Sequence, residues 1–110
     1  MGKFIISIKR NGLYQFLLMD DSGTTLLSSG GYVSKLNCTS DISSIKQNVD
    51  YKDRIELKVS KQGECYFNII HLDGYIVAKS EMFATEEDCK NRIALIRKSA
   101  QPAKIEDITS

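Results

Sequence analysis

The residues best suited to chemistry in this sequence are one histidine and three cysteines. His71 stands two residues before Asp73, and a neighbouring carboxylate can orient a histidine as a general base. A single histidine without a Cys-x-x-Cys spacing does not indicate a zinc site. We therefore interpret His71 as a histidine at the edge of a turn.

The three cysteines offer a metal site, a disulfide or a nucleophile as alternatives to simple packing. Cys38 and Cys89 fall on the apolar stripes of two predicted helices, and Cys65 falls on the inward row of a predicted strand. A free cysteine in such a position packs as a small hydrophobe. A nucleophile would need its pKa lowered by a nearby base or helix N-terminus. We predict that all three are reduced core residues.

Two glycine- or aspartate-rich stretches suggest ligands but lack the rest of each motif. Gly30-Gly31 is not followed by the Lys-Ser or Lys-Thr of a phosphate-binding loop. Asp20-Asp21 does not open an alternating acidic loop closed by a glutamate, as calcium binding requires. The sequence thus predicts no catalytic residue, no cofactor and no metal site.

These residues are positioned by a unit that the chain contains twice. A shift of 51 residues (Gly12 to Gly63) aligns the two copies without a gap. The identical pairs are Gly12/Gly63, Phe16/Phe67, Gly23/Gly74, Ser29/Ser80, Cys38/Cys89, Ile42/Ile93 and Ile45/Ile96. Turns and core explain all but the serines, which we expect to bond nearby backbone at strand ends. No acid, base or ligand set is duplicated, which argues against a symmetric catalytic site.

Each copy has the pattern of three strands followed by one helix. The alternation of Phe4, Ile6 and Ile8 with Ile5, Ser7 and Lys9 predicts the first strand, half-buried in the sheet. Ser34 and Thr85 are predicted helix N-caps, with the first helix over 34–48. We predict an α+β fold: a single domain (1–110) made of repeats 3–52 and 54–108, with one antiparallel sheet and both helices on one face.

An ordered set of motifs in both copies resembles the YegP-like family of small bacterial proteins of uncharacterised function. The matching residues are Asn11-Gly12, Tyr14, Phe16, Leu18, Ser22-Gly23, Ser29, Tyr32, Ser34-Lys35, Ile42 and Ile45-Lys46, with Gly63, Tyr66 to Asn68, Gly74, Ser80, Phe83, Thr85, Ile93 and Ile96-Arg97 in the second copy. The resemblance implies tandem β-β-β-α-β units that exchange their last strands, here 49–52 and 104–108. It implies no activity. Asp41 and Arg92 depart from the family, which often has Gly there.

Net charge and apolar patterning argue against a nucleic-acid binder, a membrane protein and a secreted protein. The net charge of +1 lacks the basic excess of a nucleic-acid binder. No apolar run approaches the roughly 18 residues of a membrane span, and the N-terminal apolar stretch is too short for a signal peptide. We expect a cytoplasmic protein without a membrane segment.

The outer face of the predicted sheet carries the functional hypothesis. The residues expected to face away from the helices are Ile5, Leu13, Leu17, Met19, Tyr66 and Ile70. A contiguous exposed apolar patch often marks an interface. We therefore expect a non-enzymatic module that contacts a protein partner or forms a homodimer.

Two alternatives remain open at this point. The first is weak nucleic-acid or anionic-ligand binding through Lys9, Arg10, Lys58 and Lys61 near the hairpins. The second is an enzyme with an asymmetric site at His71. Salt dependence separates phosphate binding from an apolar contact, because released counterions make the former weaken steeply with salt.

Overall fold

The structure is a computed structural model that describes residues 2–49 and 52–109. The elements are, in order, β1 (Lys3–Ile8), β2 (Tyr14–Met19), β3 (Thr25–Ser29), α1 (Lys35–Asn48), a 3-10 turn (Lys52–Arg54), β4 (Ile55–Val59), β5 (Cys65–Ile70), β6 (Ile76–Lys79), α2 (Glu86–Ala100) and β7 (Lys104–Asp107).

In the described part of the chain, seven strands form one sheet in the order β4-β5-β6-β3-β2-β1-β7. The two repeats meet where β3 and β6 pair antiparallel, with Ser28 opposite Lys79 and Ser29 opposite Ala78. The predicted α+β fold with one shared sheet is therefore confirmed. One detail differs: β7 runs parallel to β1, so the sheet is mixed and not wholly antiparallel.

The second repeat contributes its last strand to the first repeat's side of the sheet, but the reverse exchange is not seen in the described residues. β7 of the second repeat lies beside β1 of the first, as the family resemblance implied. The expected counterpart, 49–52, is not a strand where it is described: Val49 caps α1 and Lys52 begins the 3-10 turn, while residues 50 and 51 lie outside the described ranges. The physical reason is chain length. A strand parallel to β4 would need a crossover of about a dozen residues before β4, and this segment leads directly into β4.

Both helices pack on the same face of the sheet, as predicted. α1 and α2 contribute their apolar stripes to the cluster that contains the strand residues Phe4, Phe16 and Phe67. The buried stripe residues are Cys38, Ile42 and Ile45 on α1 and Cys89, Ile93 and Ile96 on α2. The predicted caps are also present: Ser34 Oγ accepts from the Asn37 amide, and Thr85 Oγ1 from the Asp88 amide, both at 3.1 Å.

Equivalent β-bulges increase the apolar contribution of the third strand of each repeat. The pairing shifts so that Leu26 on β3 and Val77 on β6 are extra residues. A bulge turns two successive side chains towards one side. Leu26 and its neighbour Leu27 are consequently both buried, as are Val77 and Ala78.

Ser29 and Ser80 bond backbone groups at equivalent strand ends, as expected. Ser29 Oγ accepts from the Phe16 amide at 2.9 Å and donates to the Gly30 carbonyl at 2.8 Å. Ser80 Oγ does the same with Phe67 and Glu81, at 3.0 and 2.8 Å. The identity of the two serines thus has a structural explanation.

Neither described helix combines the length and apolar character needed to cross a bilayer.

Candidate functional site

The outer face of the sheet, opposite the helices, is crossed by one continuous row of paired residues. The row reads Glu56, Asn68, Lys79, Ser28, Leu17, Ile5 and Glu106, from β4 to β7. Leu17 and Ile5, on the β7 side of Ser28, are its apolar members, and both ends of the row are charged.

Three of the six predicted interface residues come together on this face. Ile5 and Leu17 are direct cross-strand partners, and Met19 lies two residues beyond Leu17 on β2. All three are partly exposed. Leu13 is also partly exposed but precedes β2 and packs against Gly31, where an added methyl group would lie 2.6 Å from Leu13 Cδ1. We call Ile5, Leu17 and Met19 the repeat-one patch.

Tyr66 and Ile70 lie apart from this patch. Both are on β5, and β6 and β3 stand between β5 and β2, which separates the two groups by roughly 14 Å at the usual strand spacing. Ile70 instead pairs with Ile76, which is 47% exposed. The polar residues of the central row fill the space between.

The four cations of the alternative hypothesis are not gathered. Because successive neighbours from β1 to β4 across the sheet are antiparallel, the β1–β2 and β4–β5 hairpins point to opposite ends of the sheet. Lys9 and Arg10 thus lie far from Lys58 and Lys61. Lys58 also lies 3.6 Å from Glu56.

The structure brings together a second group of side chains, at the junction of the repeats. The Asp41 side chain is on α1, and the residue is only 5% exposed. Its Oδ2 accepts from the Tyr32 hydroxyl at 2.6 Å, and its Oδ1 accepts from the Tyr75 hydroxyl at 2.8 Å. Tyr32 is held by backbone hydrogen bonds to Tyr14, whereas Tyr75 comes from the β5–β6 turn of the other repeat.

His71 lies against this group without forming a catalytic pair. Its ring stacks on the Tyr75 ring at 4.4 Å between centroids and 13° between planes. Nδ1 accepts a 3.0 Å hydrogen bond from the Asp73 amide. It therefore has no proton to give to the Asp73 carboxylate 3.6 Å away. The predicted turn-edge role of His71 is confirmed.

Both tyrosines are neutral hydrogen-bond donors at physiological pH. Burial, and secondly the bond to Asp41, raise the pKa of Tyr75 to about 12. The same causes raise the pKa of Tyr32. The group therefore combines one buried carboxylate with two protonated phenols, which suits binding better than proton transfer.

A surface pocket of about 350 Å³ opens onto this group. Its lining residues are Tyr32, Asn37, Ser40, Asp41, His71 and Tyr75. We call this the Asp41 pocket.

Repeat two has the opposite charge at the equivalent place. Arg92 corresponds to Asp41, and Phe83 corresponds to Tyr32. The Arg92 guanidinium lies 5.1 Å from the Phe83 ring centroid and 3.1 Å from Glu81. It also donates to the Thr25 carbonyl of the first repeat at 3.3 Å. This reversal of charge between copies was the signal in the sequence that could have singled out Asp41.

The cysteines have the packing roles that we predicted. Cys38 and Cys89 are fully buried, and Cys65 packs at the edge of the core. Burial raises the pKa of Cys38 to about 11 and also raises that of Cys89. Within residues 2–49 and 52–109, no cluster of three histidine, cysteine or acidic residues could hold a metal ion.

Comparison with known proteins places the chain among uncharacterised relatives. It is 29% identical to the UPF0339 protein YegP of Escherichia coli K12 over 108 residues, 98% of each chain. It is 30% identical to the YegP of Yersinia pestis, over 99% of this chain and 97% of that one.

Two solution NMR structures have the same fold. The structure of yegP from E. coli, titled a protein of unknown function, matches with a TM-score of 0.93 at 28% identity, covering 99% of this chain and 94% of that chain. The UPF0339 protein SO3888 from Shewanella oneidensis matches with a TM-score of 0.93 at 25% identity, covering 98% and 92%.

A family model described as a domain of unknown function, DUF1508, matches residues 9–56 and again residues 60–107. The two matches begin 51 residues apart, which is the offset of the internal repeat. The resemblance to the YegP-like family is thereby confirmed, and the chain belongs to the DUF1508 family as a tandem pair of its domains.

Proposed function

We propose that this protein is a non-enzymatic module that associates with a second copy of itself through the outer face of the sheet. The observation that carries the proposal is the row across the sheet, in which Leu17 and Ile5 lie side by side on the face that neither helix covers. Apolar side chains grouped on an uncovered face favour association.

The order of charges along the row favours a second copy as the partner. Counted in strands from Leu17, Lys79 lies two positions to one side and Glu106 lies two positions to the other. Packing two sheets face to face with aligned strands is a common arrangement. A twofold axis along β2 would place Leu17 over Leu17 of the second copy and Lys79 over its Glu106.

The non-enzymatic part of the proposal rests on the protonation and hydrogen bonding of the side chains that could act as nucleophiles or bases. The phenols of Tyr32 and Tyr75 and the thiol of Cys38 have raised pKa values, so these groups are poor nucleophiles at neutral pH. His71 Nδ1 is occupied by a backbone amide.

Anion or nucleic-acid binding is the weaker candidate because the four cations lie at opposite ends of the sheet. If phosphate contacts dominated, binding to a DNA or RNA oligonucleotide would fall steeply between 50 and roughly 200 mM salt. Self-association through the repeat-one patch should persist over that range.

Sedimentation equilibrium over a wide concentration range tests the proposal. We expect a concentration-dependent dimer for the wild type and a monomer for Leu17→Lys, because a buried unpaired ammonium is costly. Ile70→Lys is the matched control, since it adds the same charge to the same face outside the patch. A wild-type monomer at all concentrations would overturn the proposal.

A charge exchange tests the geometry of the pairing. Lys79→Glu should weaken the dimer by placing like charges opposite each other. Adding Glu106→Lys should restore it, because the second copy then presents a lysine opposite each new glutamate. Failure of the double variant to recover association would contradict the twofold arrangement.

A further inference from the structure

We propose that the Asp41 pocket binds a primary ammonium group, carried by a small organic amine. The pocket lies on the helix side of the sheet. It is therefore separate from the outer face, and the two proposals can fail independently.

The first argument is that the buried carboxylate of Asp41 has no cationic partner within residues 2–49 and 52–109. Only 5% of Asp41 is exposed, yet none of the ion pairs among the described residues includes it. Its two bonds come from neutral phenols. A buried carboxylate without a counter-charge is costly, and a bound cation would remove that cost.

The second argument is that acceptor positions remain for a donor with several N–H groups. An ionised carboxylate offers about four lone-pair positions, and Tyr32 and Tyr75 occupy one on each oxygen. The phenol oxygens are acceptors as well. A primary ammonium carries three donors and matches this set better than a quaternary ammonium, which has none.

The third argument comes from repeat two, where the chain supplies its own cation. The Arg92 guanidinium lies over the Phe83 ring and beside Glu81. Repeat one has the corresponding aromatic residue, Tyr32, and an acid in place of the arginine. With an external cation bound, the Asp41 pocket would contain a cation, an acid and an aromatic ring. Repeat two has this same combination in Arg92, Glu81 and Phe83.

The walls and size of the pocket fit a small amine and disfavour a metal ion. The aromatic rings of Tyr32, His71 and Tyr75 line it, and aromatic rings attract cations. Its volume of about 350 Å³ is at the lower end for ligand pockets. A divalent cation such as calcium would need six or more oxygen ligands, and Asp41 is the single carboxylate among the lining residues.

Titration of the ¹⁵N-labelled protein with n-butylammonium chloride tests the proposal. We expect saturable amide shifts confined to residues 37–41 and 71–75. Tetramethylammonium chloride and n-butanol are the matched probes, since one keeps the charge without N–H donors and the other keeps the chain without the charge. Equal binding of either probe would overturn the assignment of a primary ammonium.

Two variants separate ligand binding from a structural role of Asp41. Asp41→Asn keeps an acceptor for the tyrosines but removes the charge, so binding should weaken at least tenfold. Ser40→Lys places an ammonium group of the protein's own chain at the exposed rim of the pocket. It should block the probe without disturbing the core, and it remains informative if Asp41→Asn does not fold. Wild-type affinity in folded Ser40→Lys, or shifts that never saturate in the wild type, would overturn the proposal.

Discussion

The hydroxyl of Tyr75 in the second repeat donates a 2.8 Å hydrogen bond to Oδ1 of Asp41 in the first. The helix ends are joined across the repeats in a related way. Lys46 of α1 donates to the Ala103 carbonyl beyond α2 at 2.7 Å, and Arg97 of α2 donates to the Val49 carbonyl at the end of α1 at 3.2 Å. Cations near helix C-termini stabilise the free carbonyls there. The repeats therefore support each other through polar contacts as well as through their shared core.

Removal of the Tyr75 hydroxyl should destabilise the protein modestly. A hydrogen bond to a charged group contributes about 1.5–3 kcal/mol when buried. Tyr75 is 46% exposed, so we expect Tyr75→Phe to lower the free energy of unfolding by about 1 kcal/mol. Urea denaturation measures this change. Tyr66→Phe, on the outer face of β5, is the control and should have a smaller effect. An effect as large in the control would contradict this account.

The same hydroxyl should make stability fall at alkaline pH. In the folded protein the pKa of Tyr75 is about 12, raised first by burial and then by Asp41, against 10.0 in the unfolded chain. Between these values the folded state binds more protons than the unfolded state, so the free energy of unfolding decreases as the pH rises. Denaturation at several pH values should show a shallower decrease for Tyr75→Phe. An unchanged slope would mean that Tyr75 titrates normally.

At acid pH the exchanged strand β7 should be the sensitive element. The bond from Lys35, followed by bonds from Thr109, lowers the pKa of Asp107 from 3.8 to about 2. The unfolded state therefore binds more protons between these values, and the contribution of Asp107 is lost as the pH falls through them. Asp107→Asn should remove this part of the acid transition. Hydrogen exchange at Phe4 and Ile6 of β1 would report the loosening of β7 directly.

Loss of the Ser29 hydroxyl should lower the free energy of unfolding more than loss of the Ser28 hydroxyl. Ser29→Ala leaves the buried Phe16 amide without its acceptor, which costs about 1–3 kcal/mol. Ser28→Ala alters an exposed residue of the same strand and should be nearly neutral. Ser80→Ala should fall between them because its bond to Phe67 is only partly buried. Thermal unfolding of the three variants checks this order.

Thiol labelling should distinguish the three cysteines. Cys38 and Cys89 are fully buried, and burial raises the pKa of each thiol. A reagent such as DTNB should thus react first with the partly exposed Cys65 and reach the other two only in denaturant. Cys65→Ser is the control that should abolish the early phase. Rapid reaction of two or three thiols in the native protein would contradict the packing described.

Much of the fold could be predicted because the relevant chemistry is local. The hydroxyl of Ser34 needs only the amide of Asn37 three residues on, and the turn at Gly12, with φ of 84°, needs only a residue that tolerates positive φ. The 51-residue repeat then predicted a single domain built from both copies, since one copy alone has too little core to be stable. The orientation of Ile5 and Leu17 away from the helices followed from strand alternation.

The candidate site required the tertiary structure. Leu17 and Tyr66 share a face by alternation, but only the strand order shows that two strands separate them. Asp41 and Tyr75 are 34 residues apart, and no local pattern connects them.

The sequence by itself thus determined the elements, their caps and turns, and the duplication, because these depend on neighbours within a few residues. Only the tertiary structure decided that β7 runs parallel to β1, since the direction of a strand relative to a distant neighbour depends on the path of the chain between them. It also decided that a carboxylate of one repeat is buried against a tyrosine of the other, because contacts between distant segments follow from how the two halves close on each other.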